Sequence, residues 1–254
     1  MRGGARLLGA QTRHELAKLL TLRGTWWSGG LAVALAAPLC WLTAHAMSGE
    51  PGASVDSVTR LALRTSIPAL VCVMVLAVGS VRADVDSGVW RLSTLRVRGR
   101  SGAWTAKSVA VTSVAAGLGI VIAMVELLVV AIVLGGGDGI ESLLWSGLAI
   151  GGTFALVMAG WAALGMAAGA LLPTTGAALA VALGLPLVIE PALAAGGGRW
   201  ADLLPFASGF ATLGGGSSLF DDPWIGVGGS AVLFVSAAVA AVVAGGWRAR
   251  TADL

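Results

Sequence analysis

The sequence predicts an all-α integral membrane protein of six transmembrane helices, and three observations carry that prediction. Hydrophobic residues make up 57% of the 254 and the mean hydropathy is +0.89, well above the roughly 45–50% apolar share of soluble domains. Several apolar runs exceed the ~20 residues a helix needs to cross a ~30 Å hydrocarbon core. The period-two alternation of lipid-facing barrel strands occurs nowhere, so the spans are helical.

Residues 1–24 carry Arg2, Arg6, Arg13, Lys18 and Arg23 against the single acid Glu15. Thr12-Arg13-His14-Glu15 fits a capping box. Leu16, Leu19 and Leu20 then fall on one face, which predicts an amphipathic helix lying at the membrane surface. Trp26 and Trp27 follow at the depth where indole rings favour the interface. The first span covers about 25–46. Its basic start and Ala44-His45-Ala46 resemble a signal peptide, but the apolar run is longer than the usual 7–15 residues, so it is read as a retained span. A short loop with Glu50, Asp56 and Arg60 leads to a second span, about 61–81, holding Arg64 and Pro68.

The third span, about 108–134, is longer than a bilayer requires, so it tilts or projects beyond it. A turn with Asp138 and Glu141 precedes the fourth span, about 143–172. There Gly147, Gly151, Ala155 and Ala159 recur every fourth position, a small-residue ridge on which another helix can pack closely. Leu172-Pro173-Thr174-Thr175-Gly176 reads as a tight turn, and the fifth span, 175–195, is interrupted by Pro186 and Pro191. Residues 196–224 are too polar to cross yet hold Trp200, Leu203, Leu204, Phe206, Phe210, Leu213 and Phe220, which predicts short helices dipping into the outer leaflet. The sixth span, about 225–246, ends in Trp247, Arg248 and Arg250.

Charge placement orients this layout. The regions before span one, between spans two and three, and after span six hold thirteen of the sixteen Lys and Arg. The opposite side holds Arg60, Arg64 and Arg199 with seven acids. Lys and Arg flanking a span resist translocation, so both termini and residues 81–107 are expected in the cytoplasm. Cys40 and Cys72 fall inside spans and say nothing of redox compartment.

The chemistry legible in the chain is not catalytic. Lys18 and Lys107 each follow an alanine, so neither fits G-x-x-x-x-G-K-[ST], whose glycines let backbone N–H groups cradle phosphate. No metal-ligand spacing is present, and nothing beyond charge suggests nucleic acid. Glu126 and Glu190 lie inside spans, more than ~20 Å from the inner surface at ~1.5 Å per residue. With Arg64 they form a possible outer-leaflet charge cluster: an ion pair, a substrate contact or a proton relay.

The basic segment 81–107 carries Arg82, Arg91, Arg96, Arg98, Arg100 and Lys107 against Asp84 and Asp86. Such a cluster can bind anionic lipid head groups. Together with the N-terminal pattern Thr12, Glu15, Lys18, Arg23, Thr25, Trp26, Trp27, it resembles the permeases of type-2 ATP-binding-cassette (ABC) exporters, notably actinobacterial ones. The likeness extends to Asp84, Gly88, Leu95, Arg98 with Arg100, Lys107, and Leu204-Pro205-Phe206. Asp84 stands where Glu is usual, Val89 where Thr is common and Arg98 where Pro is frequent.

That resemblance implies a bacterial plasma-membrane permease without its own cofactor. ATP and Mg would be bound by a cytoplasmic ATPase subunit, and a second permease copy or paralogue would complete the assembly. The N-terminal helix and a coupling helix between spans two and three would dock on the ATPase. Asp84, Gly88, Trp90, Arg91, Leu95, Arg98 and Arg100 would form that interface, with Trp90 and Leu95 as apolar anchors. The alternatives are an ion-coupled transporter using Glu126 and Glu190, or a membrane component that does not transport.

Overall fold

The computed structural model describes residues 2–90, 100–135, 140–195, 203–214 and 225–251, without the side chains of 2–6 and 140–144. Among them there is no strand, and six helices are long and apolar enough to cross a membrane. The protein is an all-α, multi-pass membrane protein.

Helix α1 (Arg2–Thr21) starts ten residues before the expected cap. Thr12 is inside the helix, where its hydroxyl donates to the Leu8 carbonyl at 3.0 Å, and Glu15 is turned inward, so the capping box does not form. The buried stripe is Gln11, Glu15 and Leu19, whereas Leu20 is 44% exposed. Extended backbone at Leu22 separates α1 from α2 (Arg23–Met47). Ser54 then caps α3 (Val55–Thr65) in a reciprocal box with Ser57.

The second span is displaced from its expected place. Ser66, at ψ 39, breaks the chain, and Pro68 occupies the first turn of α4 (Ile67–Asp86), a position where a missing N–H costs nothing. Arg64 thus lies on α3, before the span. Helix α5 (Arg100–Val133) starts eight residues before the expected Ser108. Both helices run into the polar segment because their charged residues find partners inside the bundle.

Helix α6 (Ile140–Leu171) is the axis of the fold, packing against α5, α4 and, after the turn, α7 (Thr175–Ala195) and α9 (Gly226–Thr251). Phe154, Met158, Trp161 and Met166 fill its buried face. Its glycines set the approach distances: a Cβ on Gly147 would meet Leu127 at 2.8 Å, and one on Gly151 would meet Met124 at 3.1 Å. Ala155 lies against Gly119 of α5, while Ala159 is only half-buried. One turn along, Gly160 admits the Phe234 ring of α9, whose atoms would be 2.4 Å from an added Cβ. Without a hydrophobic drive between helices in lipid, such close contacts supply the association.

Within α7 the backbone widens to a π-helical turn at Leu185–Ile189, which accommodates Pro186 and its absent N–H without ending the span. Helix α8 (Pro205–Ala211) is the one short helix described between spans five and six. It buries Phe206, and Leu213 beyond it is 1% exposed.

Candidate coupling site at the end of α4

The last turn of α4 points charged groups in two directions. Residues four apart share a helix face while those two apart oppose one another. Arg82 and Asp86 therefore look one way and Asp84 the other.

Asp84 meets α1 and α5. Its two carboxylate oxygens separately accept hydrogen bonds from Lys18 and Lys107. Lys107 Nζ also lies 3.5 Å from Glu15 Oε2, an ion contact without hydrogen-bond geometry, since that oxygen has no hydrogen-bond partner. Gln11 Nε2 donates to the other Glu15 oxygen at 3.3 Å. Two carboxylates and two ammonium groups balance. Asp84, Glu15 and Lys107 are all buried, and only Lys18, with 31% of its side chain exposed, reaches the outside. Charges this far from water persist only when paired and hydrogen-bonded. The network thus fixes α1 against the end of α4 and the beginning of α5.

Arg82 and Asp86 meet the α6–α7 turn. Arg82 Nη1 donates to the Leu172 carbonyl at 3.3 Å, placing a cation against the negative end of α6. Its Nη2 pairs with Asp86, which also accepts from Thr175 Oγ1 at 3.3 Å. One helical turn thereby holds α1, α5, α6 and α7.

The chain then leaves α4 through Gly88, whose φ of +71 is a conformation side chains resist. Trp90 follows. It is 3% exposed and stands edge-on to Trp104, with ring centroids 6.2 Å apart. Its side chain, like that of Asp84, packs into this chain's interior. Trp104 lies over Gly245 and Gly246 of α9 and donates to the Val242 carbonyl at 2.9 Å. Arg100 Nη1 donates to the Arg250 carbonyl at 3.0 Å. Arg91, Leu95, Arg98 and the rest of the expected coupling helix lie outside the described residues.

The chain matches no family model and no curated protein.

Of the expected outer charge cluster, the two carboxylates have these partners. Glu190 accepts from the backbone N–H groups of Phe206, at 3.1 and 3.2 Å, and of Ala207, at 2.8 Å, serving as an anionic cap on α8. Glu126, wholly buried, accepts from Ser66 at the α3–α4 break. Each carboxylate closes on a partner other than Arg64, and they serve different elements.

Sequence reasoning missed the roles of Glu15, Lys107 and Arg82 inside the bundle. The sequence offers one weak signal: the chain has only two lysines, and each adjoins an apolar stretch.

Proposed function

We propose that the chain is the transmembrane permease subunit of an ABC exporter in a bacterial plasma membrane. Both termini and residues 87–99 lie in the cytoplasm, a separate ATPase supplies the energy, and a second permease copy or paralogue completes the pore. The exported compound is a drug, peptide or lipid-like molecule. One observation carries this reading: Glu15, Lys18, Asp84 and Lys107 bind α1, α4 and α5 together at the end where the basic segment emerges. A subunit with no phosphate-binding loop of its own must receive work mechanically. A set of helix ends locked to one another is what a soluble motor can push without bending a single helix.

The orientation follows from the Lys and Arg excess at this end. The balanced network neutralises Lys18 and Lys107 locally, and on this reading Arg91, Arg96 and Arg98 meet an acidic partner surface. The test is capture of the tagged full chain from its native membrane. Recovery of a stoichiometric ATP-binding subunit, lost when residues 91–99 are replaced by Gly and Ser, is the expected result. Capture without any nucleotide-binding protein, or labelling of a cysteine at Ser87 from outside intact cells, would overturn the reading.

A further inference from the structure

Helices α1, α2, α4 and α5 together bound a groove of about 830 Å³, within the roughly 300–1,000 Å³ range of small-molecule sites. Its walls are Leu16, Leu20, Val33, Leu76, Val114 and Leu118. Glycines hollow it out: an added Cβ on Gly30 or Gly117 would meet nothing within 4 Å. The groove continues into a second cavity of about 260 Å³, sharing Thr25, Ser28 and Leu76 with it and ending on Lys18, Asp84 and Lys107. An apolar slot that turns polar at one end has the form of an amphiphile.

The charge at the polar end selects the head group. Asp84 and Glu15 balance Lys18 and Lys107. Arg23, exposed at the start of α2 and without an ion pair among the described residues, lines an adjoining recess that shares Trp26, Gly30 and Ala34 with the groove, and it brings the one unbalanced positive charge to the groove's mouth. Arg23 shares a surface recess with Trp26 and Trp27. Those indoles are 67% and 78% exposed, as expected of rings at head-group depth.

We propose that this groove holds one anionic phospholipid of the adjoining leaflet, with an acyl chain between the helices and the phosphate at Arg23. The acyl chain gives little selectivity, because it is surrounded by apolar groups in the bilayer and in the groove alike. Selection among lipids rests on the cations, and the test must read selection.

The full chain is reconstituted in nanodiscs of equal phosphatidylglycerol and phosphatidylcholine, extracted in mild detergent, and its retained lipids are counted by native mass spectrometry. The expected result is one phosphatidylglycerol per chain, in roughly tenfold excess over phosphatidylcholine, the effect of one charge-assisted contact. Arg23→Gln, at an exposed position, abolishes the excess, while Gly117→Leu fills the groove and loses both lipids. Equal retention of the two lipids by the unmodified chain would overturn the proposal. So would an unchanged excess in Arg23→Gln, which decides the matter even if Gly117→Leu does not fold.

Discussion

Replacing Lys107 by methionine removes a charge from the network while keeping an unbranched side chain of similar length. In the intact chain the Lys107 side chain is 2% exposed and its ammonium answers both Asp84 and Glu15. After the change Asp84 keeps Lys18, but Glu15 loses the one cation within 4 Å of it among the described residues. Removing one partner of a buried pair costs about 3–5 kcal/mol, because the other charge is left without compensation. Lys18→Met should cost only about 1 kcal/mol, since Lys18 is partly exposed and screened and Asp84 retains Lys107. The double variant Asp84→Asn with Lys107→Met should cost less than the sum of its singles by roughly 0.5–3 kcal/mol. Cys40 and Cys72 are buried and free, so a thiol-reactive fluorophore reports unfolding in detergent micelles without an added label. Hydrogen exchange over residues 2–21 should accelerate in Lys107→Met as α1 loosens. Equal costs for Lys107→Met and Lys18→Met, or strict additivity in the double variant, would refute the network.

Gly160→Ala drives a methyl into the Phe234 ring, 2.4 Å away, and should destabilise by about 1–3 kcal/mol; Phe234→Leu in the same chain should restore part of the loss in the thiol-dye assay. Glu190→Ala leaves the Phe206 and Ala207 N–H groups without their acceptor, at about 1–3 kcal/mol per buried group. Faster hydrogen exchange confined to residues 205–211 is the expected signature. Gly88→Val forces a branched side chain to φ +71 and should cost about 1–2 kcal/mol, with Gly88→Asn milder, both read by thermal unfolding in micelles.

The six spans were legible because a backbone in lipid must satisfy its own polar groups, so long apolar runs admit little besides helices. Their ends were not. Hydropathy stops a span at its first charges, yet α4 runs on through Arg82, Asp84 and Asp86, and α5 starts at Arg100, because partners from α1, α9 and the α6–α7 turn accept those charges. Glu15 shows the same limit from the other side. Amphipathic patterning assigns a lone acid to the wet face, and nothing within α1 announces that its counter-charge comes from α5. What hydropathy divides into a helix and a loop, the ion pairs rejoin. The segment 91–99 is consequently bounded by two anchored helix ends, one tied through Asp84, Arg82 and Asp86 to α1, α5, α6 and α7, the other through Arg100 and Trp104 to α9. A load applied to that short basic stretch would reach four helices beyond α4 and α5 through side chains that are already engaged. Under the proposed function the network would carry that load, and Lys107→Met should then impair the response to an ATPase partner even where the partner still binds.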